Sequence, residues 1–359
     1  MYFNKILKNQ SAIFSLVLLT VVMLAVVGCN SKSTKNASTG SVEHQQQPSL
    51  SALAVIRTIT CGTTTEIQNA LKNALPGDRI VIKAGTYTGS KSTSGYSNAF
   101  FYSGKDGTAT NHIIVESETT PVILQGTGTS SGYALYITGD YWEIRNLKTT
   151  NAQKGIVLDN SNYSLIDSCE VYGVGQEGIH LRDNSANDTV QNCKVHDTGR
   201  ASAGYGEGIY IGTDNNSWDQ YKAACNNNLV KGCTVGPNVT AEHVDIKEGT
   251  TGTIIDSCTF NGTGISGSNF ADSFIDAKGN NAIIRYNTCY RNSNSKIADA
   301  FQVHQQLSGW GLNNDFNNNI VYLDTATPYV VNVATGSAKA SNNTRNPSGN
   351  MYKGNVTTY

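Results

Sequence analysis

Charge is scarce in this chain. Of its 359 residues, 15% are Asp, Glu, Lys or Arg, against roughly 25% in an ordinary soluble domain. The 26 basic and 27 acidic residues nearly cancel. The absence of a basic excess to neutralise phosphates argues against nucleic-acid binding. Hydrophobic residues are also few, at 38%, and there are only 6 prolines. The deficit is filled by Asn, Thr, Ser and Gly, not by the Ala, Leu, Glu and Lys of a helical bundle. Gly-rich phosphate loops and Cys-x-x-Cys spacings are missing, which argues against nucleotide and zinc chemistry. What remains is the profile of a β-rich extracytoplasmic protein with many turns.

The one long apolar run is at the start. Lys5 and Lys8 precede Ala12 to Val27, and the run ends in Leu24-Ala25-Val26-Val27-Gly28-Cys29. A basic start, an apolar stretch and small residues before the cut describe a secretory signal. A Cys directly after the small residue resembles the bacterial lipobox, which implies removal of residues 1–28, lipidation of Cys29 and attachment to a membrane through that lipid. Residues 29–55 are rich in Ser, Lys, Gln and Asn without apolar period. They read as a disordered tether. The folded domain is expected over 56–359.

That domain opens with a helix signal. Thr63-Thr64-Thr65-Glu66 reads as a capping box, and Ile67, Ala70, Leu71 and Ala74 recur at helical spacing. Pro76-Gly77-Asp78 stops the helix before a strand at Arg79-Ile80-Val81-Ile82. A single short amphipathic helix ahead of an all-β chain suits a cap over an open core end.

The remainder repeats. Gly155-Ile156-Val157-Leu158, Gly178-Ile179-His180-Leu181, Gly208-Ile209-Tyr210-Ile211, His243-Val244-Asp245-Ile246 and Phe274-Ile275-Asp276-Ala277 are versions of one strand, and Asp299 to His304 is a sixth. Their first apolar positions, 156, 179, 209, 244 and 275, lie 23, 30, 35 and 31 residues apart. A second strand recurs in each unit and ends at Cys169, Cys193, Cys233, Cys258 or Asn287. The unit after Ile209 is longer, so residues near 214–225 must bulge out as a loop. Short strands at a regular period with no helices between them signal an all-β, right-handed parallel β-helix. The Cys column is read as stacked, unpaired thiols, although an oxidising compartment also permits disulfides.

Alternation sends the residues between the apolar ones outward. One outward column reads Val157, His180, Tyr210, Asp245, Asp276, Gln302; a second reads Asp159, Arg182, Gly212, Lys247, Lys278, His304. A third, just before the strand, reads Lys154, Glu177, Glu207, Glu242, with Asp272 and Asp299 at roughly the same height. In a chain so poor in charge, this concentration on one face is the functional signal. It suits an anionic sugar chain. Glu242, Asp245 and Asp272 are candidate ligands for Ca²⁺, a hard ion that wants oxygen. Such an ion would neutralise a uronate carboxylate and acidify the C5 proton. Lys247 and Lys278 are candidates for the base, with His180, Arg182 and His304 as further acid, base or carboxylate-binding groups. Glu207, Tyr210, Asp276, Gln302 and Trp310 are candidate substrate contacts, and Trp218 is a second aromatic that could carry a sugar. His243 falls between the columns and reads as packed.

At this point the residues resemble a known family. Glu66 to Leu71, then Pro76 to Ile82 and Gly85-Thr86-Tyr87, are similar to the opening of polysaccharide lyase family 6, the chondroitinase B and alginate lyase group. That group lies within the pectate-lyase-like β-helix superfamily, and the coils are similar over residues 60–345. The resemblance implies a Ca²⁺ held by acidic and amide side chains, a Lys base and an Arg on the next coil. Glu242 to Lys247 resembles the Glu-to-Lys stretch, and Lys278 stands where the Arg is expected. The implied activity is β-elimination on a uronate polymer by a monomeric, surface-tethered enzyme. A uronan C5-epimerase and a non-catalytic glycan-binding lipoprotein remain alternatives. A polygalacturonase-type hydrolase is disfavoured, because its paired Asp-Asp, Gly-His-Gly and Arg-Ile-Lys do not occur.

Overall fold

A computed structural model describes residues 55–91 and 98–359. The leader at 1–28, Cys29 and the tether up to residue 54 lie outside the described residues. Among those described, 32 short strands form one sheet of twelve and two of ten, every strand pairing parallel with its equivalent one coil away. The chain visits the three sheets in turn and climbs one rung per circuit. This is the expected parallel β-helix, wound with the right-handed crossover that parallel strands take almost without exception.

The coil follows from three local rules. First, single apolar residues of each strand point inward and stack: Ile156, Ile179, Ile209, Val244, Ile275 and Phe301 pair in direct register. All six are fully buried, and each contributes roughly 1.5–3 kcal/mol relative to exposure. Second, the corner between the twelve-stranded sheet and the sheet that follows is turned by one left-handed residue. Asn146, Ser168, Asn192, Ser257, Asn318 and Asn342 take φ between 51° and 56° there, a conformation that short polar side chains tolerate. Third, the residue after that corner points inward. This is the Cys column, and all seven described cysteines are free, as expected. Beyond Asn287 the column continues as asparagine. Asn287 Nδ2 donates to Ile255 O and to Asn319 Oδ1, both at 3.0 Å. Asn319 Nδ2 repeats the pattern toward Ile284 O at 2.8 Å and Asn343 Oδ1 at 2.9 Å.

The helix Thr64–Lys72 caps the first coil. Thr63 accepts a hydrogen bond from the Glu66 amide at 3.2 Å, and Glu66 reaches back to the Gly62 amide at 2.7 Å. The capping box is therefore present, with its return bond one residue earlier than the usual form. Ile67 and Leu71 are fully buried against the first coil.

The sheet that carries the site has ten strands, from Ala99–Ser103 to Tyr352–Lys353. Its central strands are Lys154–Asp159, Ile179–Arg182, Ile209–Ile211, Val244–Ile246, Ile275–Ala277 and Phe301–Val303. The register pairs Val157, His180, Tyr210, Asp245, Asp276 and Gln302 in one outward row, as the sequence columns require.

The asparagine ladder carries a stability test. Asn319→Ala removes the acceptor of the Asn287 amide and the donor to Ile284 O, both on the preceding coil, and should cost about 2–4 kcal/mol in denaturant unfolding. Cys233→Ala removes one sulfur and should cost about 1 kcal/mol.

Candidate active site

The outward row is not solvated. His180, Asp245, Lys247, Asp276 and Gln302 are all buried although they point away from the core. They form the floor of a cleft, and burial in a cleft makes each charge expensive unless it is paired.

At one end Arg182 grips Asp159 with two hydrogen bonds, of 2.9 and 2.7 Å, and lies 3.8 Å from the centre of the Tyr221 ring. Its Nη2 also donates to Tyr133 Oη at 3.3 Å. Next to it Lys154 Nζ donates to Glu177 Oε1 at 2.6 Å and to His180 Nδ1 at 3.2 Å. A carbonyl only accepts, so His180 Nε2 carries the proton, donated to Gly212 O at 3.1 Å. Burial, then the charges of Lys154 and Arg182, hold the imidazole well below its ordinary pKa. This corrects the expectation of His180 as an acid or base. Both ring nitrogens are engaged and the ring is neutral, so its role is to pack edge-on against Tyr210, 4.5 Å between centroids.

In the middle stand Tyr210 and Lys247 on neighbouring coils. Lys247 Nζ lies 5.7 Å from the Tyr210 ring centre. Three carboxylates surround that ammonium: Asp214 at 3.2 Å, Glu248 at 3.6 Å and Asp245 at 3.8 Å. Gly212 makes room for it. A Cβ there would sit 2.9 Å from Lys247 Cβ, and the backbone has φ +108°. Burial, then Asp245 and Glu207, push the Tyr210 phenol well above its usual range.

Glu207, Glu242 and Asp245 form one buried group whose oxygens lie within 4.8 Å of one another. Burial and the neighbouring carboxylates Glu177 and Glu242 raise Glu207 strongly. Burial raises Glu242 to about 8, with Asp245 and Asp276 adding to the effect and Lys278 opposing it. Glu207 Oε2 has no hydrogen-bond partner. This corrects the expected ligand set. Asp272 is replaced in the cluster by Glu207, because Asp272 turns toward Gln302, which hydrogen-bonds to it.

At the other end Lys278 bridges Asp245 at 2.6 Å and Asp276 at 2.8 Å. Burial opposes its charge, but these two carboxylates more than offset it and hold the ammonium well above its usual pKa. Lys278 is the counter-ion of these two floor aspartates. His304 Nδ1 lies 2.8 Å from Asp276 Oδ1. Trp310 is half-buried on the loop after Phe301–Val303. Trp218 donates to Thr213 O at 2.8 Å and backs Gly249, which makes it a packing residue of the bulged loop. His243 is fully buried between Phe260 and Phe274, as read, and its pKa falls to about 3 through burial.

Sequence reasoning missed Asp214, Glu248 and Tyr221. Asp214 and Tyr221 belong to the 214–225 insertion, which had been recognised only as a loop. Glu248 is fully buried and accepts from the Asn215 amide at 2.9 Å, fastening that loop over Lys247. Its position one residue after Lys247 was the only available signal.

The three-sheet coil, with paired carboxylates, lysines and a tyrosine on an outward row, defines a β-helix built to act on a charged polysaccharide. Comparison with known proteins agrees. Residues 57–215 match the family model for the Pel9A-like right-handed β-helix region. An alginate lyase from Paenibacillus sp. str. FPU-7 is 50% identical, with a TM-score of 0.80 over 84% of this chain and 99% of that one. Pectate lyase Pel9A (16% identity, TM-score 0.58, 85% and 79% covered) and a rhamnogalacturonan lyase (14%, 0.61, 84% and 87%) share the fold. No curated protein matches the sequence. The chain belongs to the right-handed β-helix polysaccharide lyases, in the family of the Paenibacillus enzyme.

Pairing with Asp276 raises the pKa of His304 above 6.5. The His304 ring resonances should therefore titrate above pH 6.5, and in Asp276→Asn they should titrate lower. Nuclear magnetic resonance titration checks both.

Proposed function

We propose that the enzyme cleaves a uronate-containing polysaccharide, alginate in the first instance, by β-elimination. The observation that carries this reading is the placement of Tyr210 and Lys247 side by side above a buried group of three carboxylates. Alginate is what the half-identical relative acts on, and that relative is covered almost completely.

The three carboxylates Glu207, Glu242 and Asp245 fit a hard divalent cation, Ca²⁺ in our reading. All donors are oxygen, and Glu207 Oε2 is buried without a hydrogen-bond partner. When bound, the cation would neutralise the substrate carboxylate and make the C5 proton more acidic. The protein's own groups do the rest. Lys247 Nζ takes the C5 proton, its own having passed to Asp214, the nearest of the three carboxylates around it at 3.2 Å. Tyr210, packed against the His180 ring, keeps its phenol proton and gives it from Oη to the O4 that leaves. The C4–O4 bond breaks and a C4–C5 double bond forms. Arg182, His304, Gln302 and Lys278 hold the floor rigid, and Trp310 stands beside the cleft as a further substrate contact. We also propose that the mature chain starts at Cys29 and works as a lipid-anchored monomer on the outer side of a membrane.

Wild-type protein should raise the ultraviolet absorbance of alginate solutions as unsaturated ends appear. Lys247→Ala and Tyr210→Phe should each slow this by about a hundredfold or more. No absorbance rise on alginate, pectate or glycosaminoglycans would overturn the reading. Altered monomer ratio without new ends would point to epimerisation, and binding without turnover to a glycan-binding role.

The cation makes a separate prediction. Glu242 binds its proton more tightly folded than unfolded, with a folded pKa of about 8 against an ordinary 4.5. Between these values the native state holds more protons, so stability falls as pH rises from 4.5 to 8. In chelator, the melting temperature should drop across this window. Added Ca²⁺ should restore it most at pH 8, where the carboxylates are free to bind.

A further inference from the structure

Two aromatic side chains stand in solvent at the rim of the cleft, and nothing in the fold requires them there. Phe270 is 89% exposed and Tyr205 53%. Each precedes a floor carboxylate by two residues, Tyr205 before Glu207 and Phe270 before Asp272. Two residues span at most about 7 Å, so both rings belong to the edge of the cleft where chain enters the strands. The opposite edge is the insertion with Asp214 and Tyr221.

The rim is fastened although the rings are free. Tyr205 ends the short turn Ala203–Tyr205, Phe270 ends Ser268–Phe270, and the two turns pack on each other. Asn269 Nδ2 donates to Gly204 O at 3.1 Å. A Cβ on Gly204 would lie 2.7 Å from Asn269 Cβ, so the two turns approach too closely for any other residue at 204. Ser266 adds two bonds to Thr240 O, 2.9 Å from its amide and 2.8 Å from its hydroxyl. Within this braced segment Asn269 and Phe270 both take left-handed backbone, with φ of 54° and 64°. Asparagine tolerates that conformation and phenylalanine rarely adopts it. The fold thus holds a large apolar ring in water, on a disfavoured backbone, beside the charged floor. Neither feature adds to stability, and strain of this kind persists where a site uses it.

We propose that Phe270 and Tyr205 form an apolar platform on which a pyranose ring of the polysaccharide rests, next to the sugar that reacts at Tyr210 and Lys247. The C–H face of a pyranose is the one apolar surface a uronate polymer presents. The floor binds its carboxylates, and the platform holds this face, so the two recognise different parts of one chain. The inference rests on the functional reading above.

Kinetics on alginate with Phe270→Ala and Tyr205→Ala test it. Each substitution should raise KM about three- to tenfold, the loss of one aromatic contact, with kcat within about twofold of wild type. Phe270→Trp should restore KM, and Phe270→Leu should not. A binding measurement separates the two readings: calorimetry of Lys247→Ala with alginate oligosaccharides, with and without Phe270→Ala. Equal affinities, or unchanged KM in both alanine variants, overturn the platform and leave the lyase assignment intact. Absence of unsaturated product from the wild type overturns the lyase assignment, while the calorimetric comparison still decides the platform.

Discussion

Everything in this molecule depends on the in-register parallel pairing of one coil with the next. Each backbone hydrogen bond of the charged sheet joins equivalent positions, so what one coil points outward the next repeats about 4.8 Å away. Inside the cylinder this rule is favourable. Isoleucine meets isoleucine, thiol meets thiol, and asparagine meets asparagine with its amide bonds satisfied along the ladder. Outside it is dangerous, because carboxylate meets carboxylate. Asp245 lies over Asp276, and Glu177, Glu207 and Glu242 occupy one column.

The structure answers the repulsion unevenly, and the unevenness locates the chemistry. Lys154 compensates Glu177 at one end, and Lys278 spans Asp245 and Asp276 at the other. Between these pairs Glu207 and Glu242 have no cation of their own and are pushed toward holding protons. A buried group of this kind is a poor structural device, since well-packed apolar residues would be at least as stable. It is a suitable receptacle for positive charge. Tyr210 and Lys247 stand beside it, the ammonium 5.7 Å from the Tyr210 ring and 3.8 Å from Asp245. Insertions do the remaining work: the 214–225 loop dries the floor and brings Asp214 to Lys247, and the 262–270 loop builds the opposite rim.

Periodicity made most of the fold legible. The positions 156, 179, 209, 244 and 275 named the inward stack, and the register of the sheet follows them without a slip. The Cys column was visible for the same reason, and His243 was rightly placed inside. The site was legible as columns and not as contacts. Lys278 and Lys247 occupy equivalent places in neighbouring strands, yet one is a counter-ion locked between two aspartates and the other sits over Tyr210. Asp272 stands one residue further from its strand than Glu207 and Glu242 do from theirs, and only Glu207 joins Glu242 and Asp245. These differences arise beyond the strand ends, where the backbone is no longer bound by the ladder and a loop of variable length chooses the direction.

Read by itself, the sequence determined the coil, its period, its inward and outward faces and the sign of the charge along one wall. These are local or nearest-neighbour properties, set by alternation and by stacking of like on like. Only the tertiary structure decided which of those charges are neutralised by the protein and which have no cation of their own. That choice is made by loops folding over a wall from both edges, bringing residues such as Asp214, Glu248 and Tyr221 onto it. The distances that result, a few ångströms in a dry cleft, fix each proton.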